Sequence, residues 1–547
     1  MNKSMSKGAG RFTPQEKELL APYVTNMDGP VFALTNLPEV VKGALFSRYS
    51  RSNLGLRELL LKEFIEAPDA ELTAIEGGTR GGQGAAAARE SQLAVERAQD
   101  FYDRILDGYG DDSIGELGGA HLAIENVSMI ATKVVQDARI GGSPLEKSTR
   151  YVSFAEKQEG DFLFYKEPRL MASPHRDAYL EINRSLFETY RDLIPPLMAF
   201  IESETPRSTG VSQGAYNRSV RARALDALRG LLPASTVTNM GIFGNGRFFE
   251  SLLVKLRLAT LAELRELAEA MGGELGKIIP SFIRRASTEH HHFEGFREFD
   301  AAQQSALSNL VQSIPAGDPS KEPNAVELVE HDPHAEARVL AALAFPETEL
   351  PLAQLREWAA GMPEGARAAI FEDLADLRGN RRHKPPRALE MVYYTFDLLG
   401  DFGMYRDMHR HRMLTQSRQL LSTRWGYEMS EELRAAGLAE PFEKMMDRAA
   451  AVHESISADY PSEAQYVVPM AYRIRWFMRI NLRALMWLVE LRSSPQGHPA
   501  YRSMAQQMYL RVREVHPHLA AMMRFVNLED YPLGRLGAEQ RQEGKGQ

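Results

Sequence analysis

The feature that most constrains this 547-residue chain is that it carries one pattern twice. Ser148-Thr149-Arg150-Tyr151 returns as Ser422-Thr423-Arg424-Trp425, and the offset of 422 − 148 = 274 is about half the chain. Pro233 precedes Asn245-Gly246-Arg247 by twelve positions, and Pro469 precedes Asn481-Leu482-Arg483 by the same twelve. Each is followed by an apolar helical run ending in Leu-Arg, at Leu256-Arg257 and Leu491-Arg492. Upstream, Val31–Leu34 leads through Pro38-Glu39 into an apolar-periodic run to about Tyr49. Val326–Val329 leads through Asp332-Pro333 into Glu336–Phe345. Each start reads as a short strand, a Pro-containing turn and a helix. Four landmarks in the same order imply two copies of one α+β unit, a mixed sheet with a helical layer. The first repeat takes residues 1–300 and the second 326–547, and the polar, Pro-rich stretch 301–325 is expected to link them.

That length exceeds a single hydrophobic core, which agrees with two units. No apolar run reaches the ~20 residues needed to span a bilayer, and Met1-Asn2-Lys3-Ser4 opens no signal peptide, so a soluble cytoplasmic protein is expected. The formal charge of −8 argues against a nucleic-acid partner but leaves room for a local basic cluster that holds a small anion. The absence of cysteine removes disulfides, thiolate metal sites and any thiol nucleophile.

Several tempting motifs have plainer readings. Gly77–Gly84, within the Gly/Ala-rich stretch to Ala88, lacks the Gly-Lys-Ser/Thr ending of a phosphate loop and reads as a surface loop. Adjacent histidines point different ways on a regular element, so Glu289-His290-His291-His292 is not expected to hold a metal. Asp332-Pro333 between His331 and His334 is a natural strand-to-helix turn. Asp111, Asp112 and Glu116 could be paired acids, although Gly110–Ser113 reads equally as a turn before a helix. Asp177–Ile201, Leu261–Ile283, Phe442–Ser457 and Arg502–Val515 have 3.6-residue apolar spacing and are expected to be core helices.

Met408 to Trp425 is the densest chemistry in the chain: Arg410, Arg412, Arg418, Arg424, His409, His411 and several hydroxyls. Guanidinium forks suit phosphate or carboxylate, though a solvated basic face would produce a similar run. Arg410-His411-Arg412, then Ser417 and Ser422-x-Arg424, resembles the signature of the flavin-dependent thymidylate synthases, with two extra residues before Ser417 and Trp425 for the usual tyrosine. The resemblance extends to Glu390, Tyr394-Thr395-Phe396, Asn481-x-Arg483, Leu491-Arg492 and His498. The first repeat resembles the same family with a different subset kept. Its Arg-His-Arg has become Asp137-Ala138-Arg139, yet Ser143, Glu146, Ser148, Arg150 and Tyr151 keep the rest at the family's spacing. Arg229 stands where the family uses an arginine on the nucleotide phosphate, whereas the second repeat has Gln465 there and Leu420 in place of the glutamate.

The resemblance implies a division of labour. Arg410, His411, Arg412, Asn481 and His498 would hold FAD. Ser143, Glu146, Ser148, Arg150, Arg229 and Ser422 would hold dUMP, and Arg424, Arg492 and Arg150 would act at the pyrimidine. It further implies methylation of dUMP with methylene-tetrahydrofolate and NADPH as co-substrates, in composite sites between repeats. A homodimer would then form a pseudo-tetramer of repeats. The departures at Asp137, Leu420 and Gln465 leave open a flavoenzyme for another uracil-containing substrate, or a non-catalytic nucleotide-binding homologue.

Overall fold

A computed structural model describes residues 12–50, 52–65, 115–315 and 324–543. The expectations on Gly77–Ala88 and on Asp111, Asp112 and Ser113 lie outside these residues. The chain divides into two compact units. One comprises residues up to 125, 137–145 and 240–315. The other comprises 126–136, 146–239 and everything from 316 on, so it contains the central motifs of both repeats.

The repeat is visible in the strands. The first repeat contributes β1 (Gly119–Ser128), β2 (Gly142–Glu146) and β3 (Val237–Asn245), in sheet order β1-β3-β2. The second contributes β4 (Val326–His331), β5 (Tyr393–Asp401), β6 (Thr415–Arg418) and β7 (Arg473–Asn481), in order β4-β5-β7-β6. β5-β7-β6 therefore repeats β1-β3-β2, with β4 as an added edge. β7 pairs antiparallel with β5, with Phe396 opposite Met478. Ile474, Trp476, Met478 and Ile480 turn inward while Phe477 faces out, the period of two expected of a sheet with one buried face.

Matched side chains close matched turns. Asn245 accepts the amide of Phe248 at 2.8 Å and Asn481 that of Ala484 at 2.9 Å, each capping the helix that follows its strand. These helices run Gly246–Arg257 and Leu482–Arg492, and both end at the expected Leu-Arg. Arg247 pairs with Glu116 at 2.9 Å, and Arg483 with Glu390 at 2.8 Å. Glu116 is thus a structural partner in the first repeat, as Glu390 is in the second.

The expected core helices form at Arg176–Glu204, Ala439–Ser457 and Pro499–Val515. The stretch Leu261–Ile283 does not stay whole. Its helix ends at Leu275, where Gly272, Gly273 and Gly276 weaken it and Pro280 starts a separate turn. Of the strand expected at Val31–Leu34, only a bridge from Leu34 to Val24 appears, and Val31 is exposed. Helix His291–Gln312 occupies much of the expected linker, because no proline interrupts it before Pro315. Polar composition had disguised its Phe293, Phe296, Leu307 and Leu310. His290 caps that helix in an extended conformation, and this departure from helical stepping gathers the rings of His290, His291 and His292, whose ligand atoms lie within 4.8 Å of one another. The expectation that adjacent imidazoles must diverge is therefore wrong at this cap.

Within the second unit the repeats meet through their equivalent prolines, which form an antiparallel bridge, Pro233 to Pro469. Ala234 donates to the carbonyl of Val468 and Met470 to that of Leu232, both at 2.9 Å. Ser235 donates to Tyr466 at 3.0 Å and Ala471 to Gly230 at 2.9 Å. An offset of 469 − 233 = 236 exchanges the members of each pair, so the contact is self-complementary about a local pseudo-twofold axis. A Cβ on Gly230 would stand 3.0 Å from that of Ala471. Gly230→Val should consequently wedge the contact and lower unfolding stability by about 1–3 kcal/mol in chemical denaturation, the usual cost of overpacking.

Candidate functional site

All the contacts below lie within the second unit. Asp401, at the end of β5, starts helix Phe402–Met408 by accepting the amide of Met404 at 2.8 Å. Its counterpart is helix Met129–Gln136 of the first repeat, started by Ser128, which accepts the amide of Ala131 at 3.1 Å. At the shared offset 401 − 128 = 406 − 133 = 273, Lys133 matches Arg406, and both cations converge on Glu146. Lys133 Nζ is 2.8 Å from Oε2 and Arg406 Nη2 2.5 Å from Oε1, with further donation from Thr132 and Gln136 at 3.0 and 3.2 Å. Burial would raise the Glu146 carboxyl, but Arg406 and Lys133 outweigh it and hold the group well below the usual range. Burial brings Lys133 down to about 8 against the opposing pull of Glu146. Glu146, expected at the nucleotide, has both its oxygens engaged by these four donors.

Asp407 joins the repeats a second time. Its Oδ2 lies 3.3 Å from Nη1 of Arg229 and its Oδ1 4.0 Å from Nε of Arg410. One carboxylate thus stands between the arginine expected at the nucleotide and the first arginine of the flavin motif. Burial opposes its charge, but Arg229, Arg150, Arg410 and Arg492 hold it ionised. Arg229 is only 3% exposed, and its Nη2 has no hydrogen-bond partner among the described residues. A buried guanidinium donor left open is costly unless something fills it.

Arg492 Nε donates to Nε2 of His411 at 3.0 Å. Burial and then the nearby Arg492 push His411 down to about 3, leaving a neutral ring that accepts. The Arg492 guanidinium lies 5.3 Å from the centre of the Tyr501 ring, and the Tyr501 hydroxyl accepts from Arg150 at 2.7 Å. Arg150 grips Asp226 through two bonds of 2.9 Å. His498 caps its own helix by accepting from Ala500 at 3.2 Å, and its Nε2 is 3.2 Å from the Asp226 carbonyl, an arrangement suited to a neutral ring. Burial first, then Arg229, lowers it to about 3.

A cleft of about 840 Å³ opens beside this network. Ser219, Arg223, Asp226 and Arg229 form one wall, the end of β5 at Leu399–Asp401 another, and His498, Arg502 and the segment Asp530–Arg535 complete it. Ser219 Oγ, like Arg229 Nη2, has no partner among the described residues. Burial lifts Asp401, which lines the cleft, to about 6 despite Arg229.

The structure therefore gathers Arg150, Arg229, Arg410, His411, Arg492 and His498. Arg412 and Ser422 are part-buried, and Ser148 accepts the amide of Arg150 at 3.2 Å. Asn481 serves as a helix cap, a role it shares with Asn245. Ser143 is exposed on β2 and belongs to the first unit. Arg424 is exposed over Trp425, outside the network, because Ser462 stands where Asp226 holds Arg150 in the first repeat. Asp407 and Asp226 escaped the sequence reading, although each lies three residues before a selected arginine, the spacing of helical neighbours. Tyr501 and Arg535 left no comparable signal.

A family model described as thymidylate synthase complementing protein matches residues 71–281 and again 327–518. A UPF0159 protein of Chlamydia muridarum is 48% identical over 98% of this chain and 99% of its own length. One from Thermoplasma acidophilum is 34% identical over 92% of this chain and 99% of its own. A crystal structure of the UMP/dUMP methylase PolB from Streptomyces cacaoi, bound with 5-Br dUMP, aligns with 38% of this chain and 96% of its own at 16% identity and a TM-score of 0.29. Among the described residues no helix is long and apolar enough to cross a membrane.

The two histidines make a pH prediction. Their ordinary value is 6.5 and both lie near 3 in the folded protein, so the unfolded chain takes up protons first as pH falls. Their contribution to stability is complete above 6.5 and is lost as pH drops towards 3. Thermal unfolding midpoints should fall on acidification below neutrality, and His498→Gln should flatten that fall.

Proposed function

The chain belongs to the thymidylate synthase complementing protein family, and from that premise we propose that it methylates C5 of dUMP in one composite centre per chain. The observation that carries this reading is Asp407, whose two oxygens face Arg229 of the first repeat and Arg410 of the second. In the overall reaction dUMP, methylene-tetrahydrofolate, NADPH and a proton give dTMP, tetrahydrofolate and NADP⁺. The hydrogen at C5 leaves as a proton.

Arg410, His411 and Arg412, together with His498, would hold FAD, which supplies the hydride when bound. The partly exposed Arg410, and a neutral His411 whose Nδ1 is left to donate once Nε2 accepts from Arg492, suit a ligand that carries phosphates and ring acceptor atoms. Arg229 has an open buried donor for the nucleotide phosphate, and Ser148 and Ser422 are candidates to complete its contacts. Arg150 and Arg492, whose guanidiniums lie 5.4 and 5.3 Å from the centre of the Tyr501 ring, would steady negative charge developing on the pyrimidine carbonyls. Without cysteine the chain offers no thiol to attack the ring. Glu146 acts here by fixing Lys133 and Arg406. A homodimer would bring four repeats together.

Arg410→Ala should bleach the purified yellow protein, and retained flavin absorbance would contradict the flavin assignment. Arg229→Ala should leave flavin bound and weaken dUMP binding roughly ten- to hundredfold, as loss of a charge-assisted contact does. Tritium release from [5-³H]dUMP with folate and NADPH tests the reaction itself. Flavin without release would favour another uracil-containing substrate, and absence of flavin would favour a binding protein.

A further inference from the structure

Both matched stretches end before the last wall of the cleft, since the second stops at residue 518. The chain then returns to the cleft along a tightly pinned path. Asn527 donates its amide to Ser493 Oγ at 3.0 Å, and its side chain accepts from Arg502 at 3.1 Å. Arg502 also donates to the carbonyl of Glu529 at 2.5 Å. A Cβ on Gly534 would lie 2.0 Å from the Pro495 carbonyl oxygen, so the backbone passes there with no room for a side chain. Arg218 fixes the helix Leu536–Glu543 through Glu539 at 2.8 Å.

This path delivers Arg535, which is 7% exposed and lines the cleft. Its Nη2 lies 2.8 and 3.1 Å from the two oxygens of Asp226. Its Nη1 donates to the Arg150 carbonyl at 3.3 Å, and its guanidinium sits 4.6 Å from the centre of the Tyr151 ring. Asp226 is therefore held between two guanidiniums, one from the first repeat and one from the C-terminal segment. Within this trio two cations against one carboxylate leave a single net positive charge, in a cleft whose lining elsewhere includes the acids Asp401, Glu428, Glu431, Glu432 and Asp530. Without Arg535 the remaining Arg150–Asp226 pair would be neutral and would attract an anion only weakly.

We propose that Arg535 is a specificity-determining residue that makes this end of the cleft select a phosphorylated ligand over its unphosphorylated nucleoside. The inference rests on the nucleotide assignment made above and extends it to a segment beyond the family match. Arg535 acts by sharing Asp226, which leaves the charge of Arg150 partly uncompensated. The unpartnered Nη2 of Arg229, in the same wall as Asp226, supplies a second donor to the same anion.

The test is calorimetric titration of full-length protein with dUMP and, separately, deoxyuridine, at fixed ionic strength. Arg535→Gln keeps a donor towards Asp226 and removes the charge, and Arg535→Lys restores the charge. Arg535→Gln is expected to weaken dUMP about tenfold or more, the scale of a charge-assisted contact, while deoxyuridine binding and flavin absorbance stay as in the parent. Arg535→Lys is expected to recover most of the dUMP affinity. Equal dUMP affinity in Arg535→Gln and parent would overturn the inference alone, as would equal losses for dUMP and deoxyuridine, which mark a merely structural role. A parent that binds no dUMP would overturn the nucleotide assignment and this inference with it.

Discussion

The antiparallel contact between residues 230–235 and 466–471 is the constraint on which the rest depends. Its four backbone hydrogen bonds come in exchangeable pairs, so each repeat presents the same edge to the other. Arg229 immediately precedes this edge and is buried with it. The contact also brings together the equivalent helices Met129–Gln136 and Phe402–Met408, whose cations Lys133 and Arg406 share Glu146. A buried carboxylate with one cation from each side is strongly destabilised if either partner is removed. This ionic cluster is therefore tied to the pairing of repeats inside one chain.

Symmetry at the axis gives way to specialisation around it. Arg229 corresponds to Gln465, which uses its side chain to pin the backbone of Leu421 and Ser462. Glu146 corresponds to Leu420, which is exposed. Asp226 corresponds to Ser462, and so Arg150 is drawn inward while Arg424 stays at the surface. Each difference leaves an ionic partner in one repeat only. These partners concentrate on one side, where Asp407 carries an acid that its counterpart Val134 lacks. The result is one dense ionic centre.

Much of this was legible in the sequence, for physical reasons. The Asn-x-Arg motifs repeat because both helices need the same cap and the same Arg–Glu pair, and the proline spacing repeats because both edges make the same contact. The Arg-His-Arg run stood out by its chemistry and by family resemblance, Arg229 by the resemblance alone. Asp407 and Asp226 did not, because an acid three residues from an arginine on a helix reads as ordinary surface pairing until burial is known. Arg535 was invisible because it reaches the site from beyond the stretches that carry the family's pattern. Gln312 lies at the end of a helix where a linker was expected, because apolar residues at helical spacing were outnumbered by polar ones.

The central claim is that one chain holds a complete centre made from both of its repeats. The most direct measurement mixes two defective chains, Arg229→Ala and Arg410→Ala, refolded or co-expressed together, and follows the flavin spectrum on adding dUMP. The parent should show a nucleotide-induced shift. The mixture should show it only at the roughly ten- to hundredfold higher dUMP concentration expected of Arg229→Ala, because no chain in it carries both arginines. A shift in the mixture that matches the parent would mean that the centre is assembled between chains, and the account would be wrong.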